Sequence, residues 1–255
     1  MSDFTQPVLY SIEGHVARII LNRPDKRNAL NDALISGIKD SVREADRDDR
    51  VRVVAISGAG KDFCSGADLS ALQKIAGASV TENQDDARSL MELFLMLRAL
   101  AVPVVAAVQG RALAGGCGLA TACDLVLAAS SARFGYPEVR IGFVPAMVLA
   151  ILRRNVSEKN AFSLITRGEQ ISAAEAKRIG LVNEVFSEDT FTTDVDQYLE
   201  GFYDTSKSAV MLTKKLLYEI DGLDLNAALE TGVDVNVIAR MTEDCKQGIA
   251  KFLKK

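Results

Sequence analysis

The chain has 255 residues, 48% of them hydrophobic, with 34 acidic against 30 basic side chains and a formal net charge of −4. That length suits one large domain or one domain with a small appendage, and the acidic balance argues against a general nucleic-acid binder. No apolar run reaches the roughly 18 residues of a membrane span, no basic-then-apolar leader opens the chain, and the single histidine, His15, excludes a multi-histidine metal site. Four cysteines lack metal-type spacing, so no metal is expected and a reducing cytoplasm is the expected compartment.

Val8 to Ile12 and Val16 to Leu21 read as short strands joined at Glu13-Gly14. Asn31 or Asp32 caps a helix that places Leu34, Ile38 and Val42 on one face. Val51 to Ser57 is a buried strand, followed by the loop Lys61 to Leu69, KDFCSGADL. Residues 70 to 85 are mixed and polar and read as a loose helix-loop. Ala87 to Leu100 has helical spacing and stops before Pro103.

Val104, Val105 and Val108 form an apolar, β-branched strand that ends at Gln109-Gly110. A small-residue turn leads to Gly115-Gly116, and Leu119, Ala120, Cys123 and Val126-Leu127 then recur at helical spacing. Ala132 to Gly135 is a short strand, and short helices follow at Met147 to Arg153 and Ser157 to Thr166. Ser172 to Glu175 has the spacing of a capping box, and Gly180 closes the helix it begins. Leu181-Val182 and Val185-Phe186 add a last strand, and beyond about Thr190 the pattern is helical. The order predicts an α/β fold, a core over 1–190 and a helical region over 191–255 whose surplus apolar side chains pack on the core or on another subunit.

Two glycine turns, Gly66-Ala67 and Gly115-Gly116, follow strands of the parallel type. In open α/β sheets ligands collect at the carboxyl ends of strands, and a helix N-terminus turns unpaired N–H groups towards an anion or a carbonyl oxygen. The same glycines also suit turns chosen only for close backbone packing.

Five segments together resemble the crotonase, or enoyl-CoA hydratase/isomerase, superfamily: LNRPDKRNAL at 21–30, DFCSGADL at 62–69, AAVQGRALAGGCGLATACDLVLA at 106–128, FGYPEVRIGFVP at 134–145 and ISAAEAKRIGLVNEV at 171–185. The resemblance implies a crotonase-like spiral of ββα repeats, a C-terminal helical region that trimerises, and trimers often paired into hexamers. It implies an acyl-CoA thioester as substrate, with no separate cofactor because coenzyme A belongs to that substrate. Mapped residue by residue, the backbone N–H groups of Ala67 and Gly115 hold the thioester oxygen, and Glu138 is the general acid/base. Coenzyme A falls on Lys26, Arg27 and Ala29, on the backbone of Ala67, Asp68 and Leu69, and on Phe252 and Lys255, often from the adjacent subunit. Tyr136, Met147 and Val148 are implied near the acyl chain. The family's hydratases usually carry a second glutamate three residues past the oxyanion glycine, where this chain has Gly118. The expected reaction is hydration of a 2-enoyl-CoA, with Δ3,Δ2-enoyl-CoA isomerisation as the alternative and a non-catalytic acyl-CoA- or RNA-binding role as the reading from another class.

Overall fold

Short β-branched runs from well-separated parts of the chain lie side by side in a computed structural model that describes residues 6–254. Strands β1 (Val8–Glu13) and β2 (Val16–Leu21) pair antiparallel around Gly14, whose φ of 59° suits glycine. β3 (Val53–Gly58), β4 (Val104–Val108), β6 (Leu125–Ala129) and β9 (Glu184–Phe186) continue the sheet, all parallel, in the order β1-β2-β3-β4-β6-β9. A smaller sheet runs β5-β7-β8, from Arg111–Leu113, Arg133–Gly135 and Gln170–Ser172.

Single bridges extend the smaller sheet, pairing Leu30 with Ala67 and Cys64 with Ala112. Each turn of the chain therefore places one strand in the large sheet, one extended piece on the small one, and then helix. After β2 comes α1 (Asp32–Arg47); after β3 come α2 (Leu69–Gly77) and α3 (Val80–Ala99); after β4 and β5 comes α4 (Gly115–Ala122). After β6 and β7 come α5 (Ala146–Asn155) and α6 (Glu158–Arg167), and α7 (Ala173–Arg178) joins β8 to β9. This is the spiral of ββα repeats that the five segments imply.

Both faces of the large sheet are covered at β3, β4 and β6, which explains why these strands read as nearly unbroken apolar runs. Ile19, Val54, Ile56, Val104 and Ala106 face the main core with Leu34 and Ile38 of α1. Val53, Ala55, Val105 and Leu127 face the other way, onto Val195 and Leu199 of α8 (Phe191–Glu200). Each fully buried valine, leucine or isoleucine among these contributes about 1.5 to 3 kcal/mol. The chain then continues through α9 (Lys207–Glu219), α10 (Leu225–Met241) and α11 (Glu243–Leu253). Among the described residues no helix is long and apolar enough to cross a membrane.

Residues 70 to 85 depart from the expected loose helix-loop. They form α2 and the start of α3, whose Ser79 and Glu82 make a reciprocal capping box. The helical spacing expected through Val126-Leu127 is also corrected: α4 ends at Ala122, and Leu125 begins β6. β5 and β8, three residues each, went unrecognised because so short a run carries no periodicity.

One buried cation ties the C-terminal helices to this core. Lys214 of α9 is 7% exposed and pairs with Asp124 at 2.7 Å. It also donates to the carbonyls of Leu97 and Val102, each at 2.9 Å. Asp124 in turn accepts from Val104 N–H and from the Tyr218 hydroxyl, each at 2.6 Å. Burial pulls the Lys214 ammonium below its ordinary value, against the upward pull of Asp124. Lys214→Ala leaves the Asp124 charge without its partner and is expected to lower the unfolding free energy by about 3 to 5 kcal/mol in a urea titration. A loss under about 1 kcal/mol would show that α9 is held by apolar contact alone.

Candidate active site

The loop after β3 is fixed by polar side chains before any ligand is considered. Arg27 and Asn28 adopt φ of 52° and 53°, and the fully buried Asn28 side chain explains how that turn holds. It accepts from Arg23 N–H at 2.9 Å and donates to the carbonyls of Ala59 and Asp62 at 2.9 and 2.8 Å. Asp62 takes a two-pronged contact from the Arg111 guanidinium at 2.8 and 2.7 Å, clamping the loop to β5. Arg111 holds the Asp62 carboxyl below the usual carboxylate range. Arg23 pairs with Asp68 at 2.7 Å and also donates to the carbonyl of Ala29. Asp68 caps α2 by accepting from Ser70 N–H at 3.0 Å.

Ala67 sits at the exposed crest of this loop. Leu30 donates to the carbonyl of Gly66 at 2.7 Å and accepts from Asp68 N–H at 2.9 Å, which is the exchange of a parallel bridge. In that pattern the N–H of the intervening residue points away from the bridge. Ala67 N–H is thus turned outward.

The second turn presses against the first. A side chain at Gly66, whose φ is +96°, would meet Cβ of Ala114 at 2.7 Å and the carbonyl of Leu113 at 3.0 Å. A side chain at Gly116 would run into the carbonyl and thiol of Cys64. Ala114 precedes α4 with φ 50° and ψ −130°, a strained pair for alanine, and its N–H donates to the carbonyl of Gly135 at 2.8 Å. Gly115 is the first residue of α4, half-buried, in the turn whose N–H groups have no acceptor within the helix. The structure brings the Ala67 and Gly115 turns into contact, both at strand ends.

Glu138 lies in a 3-10 turn, Pro137–Ile141, just past β7. The turn is anchored by Tyr136, fully buried, whose hydroxyl lies 2.8 Å from Thr121 Oγ1 of α4. Tyr136 is therefore part of the core beneath the turn. Glu138 is half-buried, its Oε2 is buried without a hydrogen-bond partner, and burial pushes its carboxyl above the ordinary 4.5. The nearby Cys117 and Cys64 thiols are pushed up to about 12 by burial and stay protonated packing groups.

The residues implied in coenzyme A contact are spread more widely. Lys26 and Arg27 are exposed on the turn before Asn28, Ala29 is buried beneath it, and Leu69 begins α2. Phe252 is 77% exposed on α11, which packs on α9 and α10, and Lys255 lies outside the described residues. A cleft of about 620 Å³ beside His15 and Tyr203, and one of about 290 Å³ beside Lys214 and Tyr218, lie apart from all of these. Sequence reasoning passed over Arg23, Asn28 and Asp62, although all three stand inside the segments that carry the resemblance.

Residues 11–255 match the family model described as enoyl-CoA hydratase/isomerase. The chain is 34% identical to the crotonyl-CoA hydratase of Syntrophomonas wolfei, over 97% of this chain and 95% of that one. It is also 34% identical to the 2,3-dehydroadipyl-CoA hydratase of Escherichia coli, over 97% and 96%. The crystal structure of a Mycobacterium smegmatis enoyl-CoA hydratase superposes with a TM-score of 0.93 at 29% identity, over 97% of this chain and 96% of that one. The fold and these likenesses thus define an α/β enzyme of the crotonase type. The chain belongs to the enoyl-CoA hydratase/isomerase family.

The strain at Ala114 has a measurable consequence. Relief of a positive φ is worth about 1 to 3 kcal/mol, against roughly 0.4 to 1 kcal/mol lost to the greater freedom of an unfolded glycine. Ala114→Gly is therefore expected to melt at or above the wild-type temperature, and Ala114→Val clearly below it. Equal melting of the two variants would show that the backbone there is unstrained.

Proposed function

We propose that the enzyme holds the thioester oxygen of an acyl-CoA between the N–H groups of Ala67 and Gly115 and uses Glu138 as its acid/base. The observation that carries this reading is the Glu138 carboxylate, buried at Oε2 with no partner, in the turn that follows the buried, hydrogen-bonded Tyr136. A carboxyl raised by burial is suited to take and return a proton near neutral pH. Each oxyanion donor is worth about 3 kcal/mol in the transition state, and the N-terminal dipole of α4 adds to it at Gly115.

Hydration of a 2-enoyl-CoA is the reaction favoured, supported by the likeness to a crotonyl-CoA hydratase and a 2,3-dehydroadipyl-CoA hydratase. Water oxygen bonds to C3, its proton passes to Glu138, and the C2=C3 pair moves into an enolate held by the two N–H groups. Glu138 then returns the proton to C2, giving a 3-hydroxyacyl-CoA. Isomerisation of a 3-enoyl-CoA is the second reading, favoured by Gly118, which supplies no second carboxylate on α4. No cofactor is invoked beyond the coenzyme A of the substrate.

The exposed turn of Lys26 and Arg27, over Ala29, and the backbone of Ala67, Asp68 and Leu69 fit the coenzyme A contacts. Phe252 and Lys255 fit contacts made across a subunit boundary. A homotrimer or hexamer is supported by exposed Leu225, Leu229, Val233, Val237 and Met241, all along α10. Four free thiols, three of them buried, support a reducing cytoplasm.

Glu138→Gln is expected to lose about 10²- to 10⁴-fold in turnover of crotonyl-CoA or 3-hexenoyl-CoA while still binding a coenzyme A ester. Full activity in that variant would overturn the role of Glu138. In the wild type, kcat/KM is expected to fall with acid as the base form of Glu138 is lost, through a pKa above 4.5. The same shift acts on stability. A pKa raised by folding means the native state binds the proton more tightly, so stability declines as pH rises through the raised value. Glu138→Gln should therefore melt above wild type at about pH 8, with the gap closing below pH 4.5; a pH-independent gap would show that Glu138 ionises freely.

A further inference from the structure

We propose that Val148 is a specificity-determining residue, which sets the balance between water addition and proton transfer by filling with hydrocarbon the space that a side chain at position 118 would take. The proposal rests on the reading of Glu138 given above. Gly118 lies one turn beyond Gly115 on α4, so the two share a helix face. A Cβ at Gly118 would stand 2.5 Å from Cγ2 and 3.5 Å from Cγ1 of Val148, and 3.4 Å from Cζ of Phe94. Val148 and Phe94 are 4% and 3% exposed, held in the main core by α5 and α3. The missing carboxylate has thus been replaced by methyl groups and a ring edge, with no room left even for alanine.

The chemical consequence differs between the two reactions. Water addition needs a molecule positioned against C3 and polar groups to hold its oxygen. Methyl groups hold no water, so Glu138 is left as its one anchor. Proton transfer between C2 and C4 consumes no water. The Glu138 carboxylate takes a proton from C2, and the C–H pair enters the enolate held by Ala67 and Gly115. The enolate re-forms the carbonyl as C2=C3 is made, and the C3=C4 pair takes the proton from Glu138 at C4. Glu138 ends as it began. A dry wall along α4 therefore slows hydration selectively and leaves the double-bond shift of 3-enoyl thioesters intact.

The test measures hydration of crotonyl-CoA and isomerisation of 3-hexenoyl-CoA in wild type, Val148→Thr, Val148→Ala, Gly118→Glu and Gly118→Glu/Val148→Ala. Val148→Thr exchanges one methyl for a hydroxyl and opens no cavity, so it serves where the cavity of Val148→Ala harms folding. Hydration relative to isomerisation is expected to rise about tenfold in Val148→Thr or Val148→Ala, and further in the double variant. Gly118→Glu with Val148 retained is expected to lose both activities and much of its thermal stability, which Val148→Ala restores. Ratios within about twofold of wild type in the folded variants would overturn the proposal. Loss of both reactions in Glu138→Gln, alongside such unchanged ratios, would leave the reading of Glu138 standing and remove that of Val148 alone. Absence of both reactions in the wild type would remove both.

Discussion

Two strand-end turns touch backbone to backbone, and most of the unusual residues of this chain follow from that contact. Gly66 must pass beneath Cβ of Ala114, and Gly116 must lie on the carbonyl and thiol of Cys64. Neither position admits a side chain, and Ala114 itself is forced to a positive φ. Parallel bridges at Leu30–Ala67 and Cys64–Ala112 carry the smaller sheet across the same gap. The closeness is useful because N–H groups bind one oxygen only if both lie within about 3 Å of it. Strain at such a position persists when the surrounding structure over-determines it.

That over-determination is polar. Asp62 is gripped by Arg111, Asp68 by Arg23 and the N–H of Ser70, and Asn28 spans the loop from inside. These contacts also sort the carboxylates by function. Hydrogen bonds from Arg111 lower the pKa of Asp62, and those from Ser70 and Arg23 lower that of Asp68. Glu138, with Oε2 unpartnered, is moved the other way by desolvation. Carboxylates held permanently ionised are structural, and the one pushed towards neutral pH can exchange protons. Thus the surroundings separate these carboxylates, two held ionised by hydrogen bonds and one drawn towards its neutral form by burial.

The parts of this architecture that were legible in sequence are those with a local physical signature. Val51 to Ser57 and Val104 to Val108 read as buried strands because both faces of their sheet are covered, leaving apolar, β-branched runs. Leu119 to Leu127 misled for the same reason. When every position is buried, helix and strand periodicities are both satisfied, and only the break at Cys123 and Asp124 marks the change. Residues 70 to 85 failed in the opposite sense, since exposed helix faces carry little apolar rhythm, although Ser79 and Glu82 were a readable start signal. Of the site, the glycines and Glu138 were legible as segments. The strain at Ala114, the clamps of Arg23 and Asp62 and the seating of Val148 on Gly118 arise only from tertiary approach.

The composition of α4 ties these observations together. Its sequence GGCGLATA puts three glycines into eight residues, and each costs about 1 kcal/mol relative to alanine in a helix interior. So short a segment would not be helical alone. It is held by what those glycines admit: Cys64 against Gly116, Val148 and Phe94 against Gly118, and Thr121 reaching Tyr136 on its far end. The N–H of Gly115 therefore takes its position from four residues brought in from elsewhere in the spiral, Cys64, Phe94, Tyr136 and Val148. A larger residue at any of these contacts acts on Gly115 through the helix that carries it. The surfaces that close on α4 are thus where this chain can diverge in reaction while keeping the family's fold.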